Sequence, residues 1–403
     1  MAVRRRLTGS KLLGEELRRL RAGRSLEEIS RLSRTSPHAD RIEPIAYSTL
    51  SMIERGVTMP SAQSLLTLAV LYHLPVQRLL DLVALERYHA RKPAAETDPA
   101  RLEGQVHEDL RSGRYAQAYS RALRCLDLVA DDGSEESRAQ SVGSRLLAGL
   151  ALWKMGWLAQ ASSGFREIVD DLDARPQQRA WAYQNLVEVE RQQGRLASSR
   201  AYARDGLELA ESIGDERLTG SFHGTLANLE RDLGERESDG ALRRTRIRSA
   251  LDHHARCREL ALSGRDDYLF VNDLLNEGVT RALAGQAEEA AQTLTEGLRR
   301  ADEAGYGRLV AFGRLERGKL LLGRGEAATA RRELRQAERA AAAADAPDLT
   351  FLTWFYLLRC ALELDDDPSE AWRHCRSLSS LQEGHLPELA ELTRLEARQE
   401  VAP

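Results

Sequence analysis

The chain has 403 residues, of which 42% are hydrophobic, 30% are charged and 5% are aromatic. This length exceeds what one ordinary core needs, so we expect two or more domains or a repeat array. The composition favours helices with solvated faces over a β-sandwich. No apolar stretch approaches the roughly 18 residues of a membrane span, and the start, MAVRRRLTGS, lacks the apolar stretch of a signal peptide. We therefore expect a cytoplasmic protein with no membrane segment.

Charge is distributed unevenly along the chain. The formal net charge is −4, but residues 1–93 hold 16 Lys and Arg against 9 Asp and Glu, a net charge of +7 that leaves −11 for the remainder. A basic module joined to an acidic body is typical of a nucleic-acid-binding domain followed by a separate regulatory domain.

Five short helices are predicted in the basic module. The first spans residues 12–22, with leucines on one face, and the second begins at Ser25, a cap residue with Glu28 three positions on. The third contains YSTLSMIERG and ends at Gly56, which suits a left-handed helix terminus. The fourth and fifth begin at Pro60 and Pro75.

The segments LGEELRRLRAGRSLEEIS and YSTLSMIERGVTMPSAQSLLTLAVLYHLPVQRLL resemble the lambda-repressor-like, Xre-type helix-turn-helix family over about residues 12–85. In that family the helix that holds TLSMIERG enters the major groove of DNA. The resemblance implies that Glu54 braces the domain internally. It also implies a DNA-reading face in which Ala46, Tyr47, Ser48 and Ser51 meet base edges, and Thr49 and Arg55 contact phosphates or the scaffold.

Two features depart from the family pattern. The segment SRTSPHADRIEPIA lengthens the connection before the third helix. It either carries Arg34, His38 and Arg41 to the DNA backbone or forms a loop with no such contact. Leu26 stands where the family often has a glutamine that contacts phosphate, so that contact is expected to be missing.

Beyond a predicted linker at residues 91–100, a glycine followed five positions later by a small residue recurs along the chain. The intervals run from 38 to 43 residues, except for one of 91 that covers a degenerate repeat near residues 215–262. The copies are Gly113/Ala118, Gly156/Ala161, Gly194/Ser199, Gly285/Ala290 and Gly325/Ala330, and the last copy has Asp366/Ala371.

Each copy has an amphipathic helix before the glycine and another after it. The glycine allows a left-handed turn, and the small residue lets the second helix pack closely on the first. This pattern is similar to tetratricopeptide repeats, and LVEVERQQGRLASSRAYARDGLELAESIGD is its clearest copy. The resemblance covers about residues 101–385 and implies about seven repeats, stacked into a right-handed superhelix whose groove binds a peptide or protein.

The groove is expected to lie where the asparagines of the chain occur. These are Asn185, Asn228, Asn272 and Asn276, all in the first helices of central repeats. An asparagine amide has both a donor and an acceptor, so it can pair with the backbone of an extended peptide. The alternative is that asparagine serves repeat packing alone.

Arginine and tryptophan side chains also bear on the composition of the groove. Arg281, Arg308 and Arg314 are candidates for binding a peptide carboxylate. The five tryptophans are expected to pack between helices rather than to form a ligand cage. They are Trp153, Trp157, Trp181, Trp354 and Trp372.

No catalytic or cofactor motif is present in the sequence. GxxxxGK[ST], HExxH and GxSxG are absent, and no pair of the four cysteines forms CxxC. His253, His254 and Cys257 offer too few ligands for a metal site. We therefore expect no enzyme activity, no cofactor and no bound metal.

The joined architecture is all-α: a five-helix helix-turn-helix domain at residues 1–90, a linker at 91–100 and a tetratricopeptide-like solenoid at 101–403. It resembles the transcription regulators that join these two modules and sense signalling peptides. In that family a homodimer binds a two-part operator, and a peptide in the groove alters the DNA-binding heads. Two alternatives stay open, namely a DNA-tethered adaptor for a partner protein and a constitutive dimeric repressor with no effector.

Overall fold

In the computed structural model, the described residues are 9–35, 42–74, 76–89, 96–111, 114–130, 134–344, 346–379 and 387–401. Every regular element within these ranges is an α-helix, which confirms the predicted all-α class. The chain divides into two compact units, residues 1–160 and 161–403. Across the described ranges, no helix combines the length and apolarity that crossing a bilayer requires.

The first unit contains eight helices within the described residues. They are α1 (Lys11–Leu20), α2 (Leu26–Thr35), α3 (Tyr47–Glu54), α4 (Ala62–Leu71), α5 (Val76–His89), α6 (Pro99–Arg111), α7 (Tyr115–Val129) and α8 (Glu135–Lys154). Helix α9 (Leu158–Val169) contains the boundary between the units.

The described part of the second unit continues with five consecutive pairs of helices and one final helix. They are α10 (Pro176–Gln192), α11 (Leu196–Ser212), α12 (Glu216–Arg236), α13 (Gly240–Ser263), α14 (Asp267–Leu283), α15 (Ala287–Glu303), α16 (Gly307–Gly323), α17 (Ala327–Ala343), α18 (Pro347–Glu363), α19 (Ser369–Ser379) and α20 (Pro387–Val401). From α6 to α19 the described chain has fourteen helices, the number that seven two-helix repeats require.

Helices α1 to α5 enclose one hydrophobic core, and the start of α1 is fixed from two sides. Leu13 and Leu17, on the face expected from the leucine spacing, are buried against Leu50 and Leu68. Ser10 caps α1 by accepting a hydrogen bond from the Leu13 backbone N–H. The Glu86 carboxylate of α5 accepts hydrogen bonds from the Ser10 hydroxyl and the Leu12 N–H, both at 3.0 Å.

Helix α5 also packs on α7 within the first unit. Ser120 donates a hydrogen bond to the Tyr88 carbonyl oxygen at 3.2 Å, and the Tyr88 and Tyr119 rings meet edge to face at 6.0 Å. The predicted linker at residues 91–100 lies partly outside the described residues, and α6 begins at Pro99. The division into domains at 90 and 101 stays a prediction.

The turns of the second unit have the backbone that the glycine pattern predicts. Gly194, Gly285 and Gly325 have positive φ angles of 74°, 78° and 79°, and in the first unit Gly156 has a φ of 84°. Gly113 lies outside the described residues. In the last copy Asp365 takes the left-handed conformation, with a φ of 53°, directly before the expected Asp366.

The small residues that follow these turns are buried, as their role in close packing requires. Ala161, Ser199, Ala290 and Ala330 are each 0% exposed, and Ala371 is 6% exposed. The degenerate repeat is the exception to the turn pattern. There α12 and α13 join through residues 237–239, with no positive-φ glycine between them.

The first helix of each pair (α10, α12, α14, α16 and α18) contacts the first helix of the next pair, and the second helices contact one another less. In a curved stack the helices that approach most closely lie on the inner side. The first helices therefore form the inner face of the array in the second unit.

Buried carboxylates join successive helices between α9 and α14. Glu190 is fully buried and accepts from Ser162 of α9 at 2.7 Å and from Arg166 and Arg195 at 2.6 and 2.5 Å. Burial opposes ionisation of Glu190, but the hydrogen bonds from Arg195, Ser162 and Arg166 outweigh it and hold the pKa of this carboxyl below its usual value.

The same arrangement recurs in the next two pairs. Glu230 of α12 pairs with Arg200 of α11 and Arg246 of α13. Glu277 of α14 pairs with Arg258 of α13 and with Arg281. Each buried glutamate thus receives one guanidinium from the preceding second helix and another from its own pair.

The substitution Glu277→Gln should destabilise the protein, because it leaves Arg281 without its carboxylate partner and leaves Arg258 with only the Asp273 carboxylate, at 3.6 Å. Removing one member of a buried ion pair costs about 3 kcal/mol. Urea denaturation measures this loss. Glu296→Gln is the matched control, since Glu296 also pairs with two arginines, Arg299 and Arg300, but lies on the surface. The control should leave the unfolding midpoint nearly unchanged, and equal effects of the two substitutions would contradict the role of burial.

Candidate functional site

Helix α3 presents one buried face and one exposed face. Leu50, Ile53 and Glu54 are buried in the core of the first unit. Among the residues expected to read DNA, Tyr47 is 50% exposed, Ala46, Ser48 and Arg55 are also exposed, and Thr49 and Ser51 are half-buried. The described residues of the expected DNA-reading face therefore lie together on the solvent side of one short helix.

The segment that enters α3 is held by buried hydroxyl groups. The Ser30 hydroxyl donates to the Ile45 carbonyl oxygen at 2.8 Å, and the Ile45 N–H donates to the Ser33 hydroxyl at 3.1 Å. From α4, the Thr67 hydroxyl donates to the Glu43 carbonyl oxygen at 2.9 Å. Both α2 and α4 therefore fix the position at which α3 begins.

Contacts with α1 hold the opposite end of α3. The Arg21 guanidinium donates to both carboxylate oxygens of Glu54, at 3.1 and 3.2 Å, and Glu54 is only 5% exposed. This is the internal bracing that the family resemblance implies. A Cβ at Gly14 would lie 2.3 Å from the Glu54 carbonyl oxygen, so the two helices approach as closely as their backbones allow. These contacts thus fix the position and orientation of α3 while its outer face stays exposed.

The start of α3 has the character of an anion site. Ala46 precedes the helix with an extended backbone, and its side chain makes no cap hydrogen bond. Backbone N–H groups in the first turn of a helix lack partners within the helix and favour negative charge nearby. A DNA phosphate supplies such a charge.

The structure describes only one of the three basic residues expected to carry the inserted connection to DNA. Arg34 lies exposed near the end of α2. Arg41 and His38 lie outside the described residues, so the expectation that the insertion contacts DNA stays a prediction.

On the inner face of the array, equivalent positions of the first helices form a row of side chains that we call the inner stripe. Its side chains are half-buried, except that Trp181 is exposed and Glu316 is buried. The inner stripe consists of the residues six, ten and thirteen positions after each N-cap residue. The members are Trp181, Asn185, Glu188, Ser221, Thr225, Asn228, Asn272, Asn276, Val279, Phe312, Glu316, Lys319, Leu352, Tyr356 and Arg359. All four asparagines of the chain belong to it.

The asparagines of the inner stripe differ in how far their hydrogen-bonding groups are occupied. Asn185 and Asn276 each donate to the carbonyl oxygen four residues earlier, at 2.7 and 2.9 Å, and Asn276 also accepts from Arg231 at 3.3 Å. The Asn228 side-chain oxygen is buried with no hydrogen-bond partner within the described residues. Asn276 is therefore committed to the array, whereas Asn228 retains an unused acceptor.

Sequence reasoning missed the residues that join neighbouring first helices beside the asparagines. Gln184 donates to Thr225 at 2.9 Å, and Arg191 pairs with Asp232 at 3.0 Å. These pairs are 41 residues apart in the chain. Helical periodicity within one segment does not indicate which side chain of a distant segment will face it.

One expectation about the groove needs correction, and another stays a prediction. Trp181 is 41% exposed on the inner stripe, so it does not pack between helices as expected, whereas Trp354 and Trp372 are buried. The three candidate arginines are engaged in the array: Arg281 pairs with Glu277, Arg308 with Asp348 and Arg314 with Glu333. A peptide carboxylate would have to compete with these partners.

The inner stripe changes character at α16. From α10 to α14 most of its residues are polar and uncharged, whereas α16 and α18 bring Phe312, Leu352 and Tyr356 beside Lys319. The Lys319 ammonium lies 2.9 Å from a Glu316 carboxylate oxygen and 5.3 Å from the centre of the Tyr356 ring. An apolar side chain therefore finds more complementary surface at the α16–α18 end.

Histidines form a second polar cluster, between α12, α13 and α14. The Nδ1 atoms of His223 and His253 lie 2.9 Å apart, so at least one ring must be neutral to accept the hydrogen bond. His254 is fully buried between the Asp273 carboxylate, at 2.8 Å, and the Thr280 hydroxyl, at 3.0 Å. No three His, Cys, Asp or Glu side chains of the described residues converge as a metal site.

Sequence comparisons do not assign the chain to a family, but comparison of structures finds matches. No protein-family model matches the chain, and no curated protein matches it. A Rap protein complexed with competence and sporulation factor has a TM-score of 0.54 at 14% identity, covering 75% of this chain and 87% of that chain. NprR in complex with its cognate peptide NprX has a TM-score of 0.50 at 13% identity, covering 75% and 84%.

A third solved structure aligns over nearly the whole chain. Aspartyl phosphate phosphatase F from Bacillus subtilis has a TM-score of 0.52 at 12% identity, covering 96% of this chain and 98% of that chain. The fold is a tetratricopeptide-like helical array. At these identities the likeness concerns the fold, and function has to be argued from the residues.

Acidification should weaken folding through the histidine pair. Burial, followed by the nearby His253, lowers the pKa of His223 from 6.5 to about 4. As pH falls from 6.5 to about 4 the unfolded chain takes up a proton that the folded chain resists, so stability is lost in this window. The loss through His223 should be about 2 kcal/mol.

Urea denaturation at a series of pH values measures this effect. The variant His223→Gln should lose less stability than the wild type as the pH falls, and the exposed His107→Gln should behave like the wild type. If the free energy of unfolding fell equally with pH in the wild type and in His223→Gln, the claim that burial lowers the pKa of His223 would be wrong.

Proposed function

We propose that this chain is a sequence-reading DNA-binding transcription regulator whose helical array binds a peptide or protein effector and joins two copies into a homodimer. The proposal rests on the observation that α3 is held in place by buried contacts on one side and is exposed on the other. Buried hydrogen bonds from α2 and α4 and the Arg21–Glu54 pair fix the helix. Its outward side chains are left exposed.

The chemistry of the exposed face suits base edges in the major groove. Ser48 and Ser51 offer hydroxyl groups that either donate or accept, and their side chains form no hydrogen bond within the described residues. Tyr47 offers an apolar ring for a thymine methyl group, and Arg55 offers a cation for a phosphate. A helix of this kind reads the sequence while its backbone contacts fix the register.

The proposal for the array rests on the inner stripe together with the peptide complexes of similar fold. Asn185, Asn228 and Asn272 provide amide groups along consecutive first helices, and Trp181 adds an exposed aromatic ring. An extended peptide pairs with such amides through its backbone and places apolar side chains against aromatic groups. In NprR, which has a similar fold, the ligand is a peptide.

We propose no catalytic role, although one protein of similar fold is named a phosphatase. The buried ionisable groups of the array have partners inside it, as in the His254–Asp273 contact and the arginine pairs of Glu190 and Glu230. Groups held in this way serve the packing of helices.

Selection of DNA fragments by the full-length chain tests the DNA-binding proposal. A homodimer should enrich a two-fold symmetric site with half-site centres about 34–36 Å apart, or a multiple of that distance. The double variant Ser48→Ala/Ser51→Ala should bind the selected site at least about thirtyfold more weakly, since the loss of two base contacts of about 1–3 kcal/mol each removes at least about 2 kcal/mol. Its affinity for random DNA should not change, and Ser198→Ala on α11 is the control. Absence of any enriched site would contradict the proposal.

Selection of randomised heptapeptides displayed on phage, with the full-length chain as target, tests the effector proposal. Asn185→Ala and Asn272→Ala should each weaken binding of the selected peptide about tenfold, the loss expected for an unpaired polar group on the peptide. Gln292→Ala, at an exposed position of the second helix α15, is the matched control. Capture of one stoichiometric protein would favour the adaptor alternative, and a tight dimer with no ligand would favour the constitutive repressor.

A further inference from the structure

The α12–α13 hairpin is longer than its neighbours in the array. Helices α10, α11 and α14 to α18 have 17 residues each, whereas α12 has 21 and α13 has 24. At a rise of about 1.5 Å per residue, the additional residues extend α12 by about 6 Å and α13 by about 10 Å. The hairpin therefore projects past the ends of the neighbouring helices.

We define the projecting tip as residues 235–248. Its base contacts the array, since Arg236 donates to the Gly194 carbonyl oxygen at 3.5 Å, but no described part of the chain covers residues 238–245. Residues 238–245 are all exposed, including Leu242, which is 41% exposed. A helix that packs on a neighbour buries a residue at every third or fourth position, but in α13 the first buried residue is Ile247. Packing within this chain thus gives no reason for the additional turns.

The tip is firmly structured rather than a loose turn. The Asp239 carboxylate caps α13 by accepting from the N–H groups of Ala241 and Leu242, at 2.7 and 3.2 Å. A Cβ at Gly234 would lie 3.2 Å from the Ile247 side chain, so the two helices are in close contact at the base of the tip. The backbone of the tip is therefore well defined, and it sets the positions from which the exposed side chains extend.

The tip is positively charged: residues 235–248 hold five arginines and three acids, a net charge of +2, and all three acids precede residue 240. The sequence RRTRIR at residues 243–248 has four arginines and no acid, and only Arg246 is neutralised, by Glu230 and Glu237. Arg243, Arg244 and Arg248 form no ion pair or hydrogen bond with any described residue. Most other arginines of the array are paired, as Arg331 is with Asp366.

We propose that this tip binds the phosphate backbone of nucleic acid, independently of base sequence. Arginine matches phosphate because its planar guanidinium donates two parallel hydrogen bonds, and Arg244 and Arg248 lie one helical turn apart on one face. A protein partner would need an apolar centre to its interface, and Leu242 is the single large apolar side chain that the described tip exposes. The proposal adds to α3 a second nucleic-acid contact, on the array.

The experiment compares two triple variants of the full-length chain. Arg243→Gln/Arg244→Gln/Arg248→Gln removes the free cations of the tip. Arg204→Gln/Arg332→Gln/Arg339→Gln is the matched control, which removes the same charge from exposed positions of the second helices α11 and α17. The probe is a random-sequence DNA duplex several helical turns long, and fluorescence anisotropy measures its affinity over a series of KCl concentrations.

The tip variant should bind the duplex at least about tenfold more weakly at low salt. Its plot of log affinity against log salt should be shallower by about 2 to 3, since each lost phosphate contact removes about 0.9 from the slope. The control should retain the wild-type slope. The proposal is wrong if the two triple variants have the same slope or if the wild type does not bind the duplex.

Failure of the tip proposal is distinguishable from failure of the proposed function. The random duplex contains no operator, so the difference in salt slope between the tip variant and the wild type reports the tip whether or not α3 reads sequence. The variant Ser48→Ala/Ser51→Ala should keep the full slope on this duplex while it loses preference for a selected site. A tip variant that keeps the preference but loses slope supports two separate contacts.

Discussion

Between α9 and α14, the array depends on carboxylates that are buried together with the arginines that neutralise them. A charge taken out of water is costly unless a counter-charge and hydrogen bonds accompany it. Glu190, Glu230 and Glu277 can therefore be buried only where the helices keep one relative position, with Arg200 and Arg246, for example, on either side of Glu230. A slide of one helix along its neighbour would separate these groups, so the ion pairs fix the register of the stack.

This register sets the spacing of the side chains in the inner stripe. In the first unit, buried polar contacts set the position of α3 in a similar way. Because successive first helices are held in place, the amides of Asn185, Asn228 and Asn272 form a fixed series before any ligand arrives, which lowers the ordering cost of binding. In the first unit, the hydroxyls of Ser30 and Ser33 and the Arg21–Glu54 pair hold α3 while its outer face stays exposed. Both candidate surfaces thus rest on buried polar contacts whose partners are far apart in sequence.

The sequence predicted the elements better than the contacts between them. The recurring glycine and small residue predicted the left-handed turns at Gly194, Gly285 and Gly325 and the burial of Ala290 and Ala330, because these depend on local backbone and side-chain size. Leucine spacing predicted the buried face of α1 for the same reason. The pairing of His223 with His253, and of Arg231 with Asn276, was not predictable, since it depends on how distant helices meet. The prediction that Trp181 packs between helices was made from its residue type and was wrong. Its side chain is 41% exposed because its position in α10 places it on the inner stripe rather than against a neighbouring helix.

In the regulator that we propose, DNA reading by α3 and ligand binding by the inner stripe are coupled within one chain. Coupling between two binding sites is reciprocal, so DNA must change the affinity for the peptide by the same factor as the peptide changes the affinity for DNA. The most direct measurement is calorimetric titration of a phage-selected peptide into the full-length chain, with and without saturating selected operator. Coupled sites should give peptide affinities that differ by about fivefold or more with and without operator, and this factor should equal the change in operator affinity that the peptide causes. Equal peptide affinities with and without operator would show two independent sites and contradict the account.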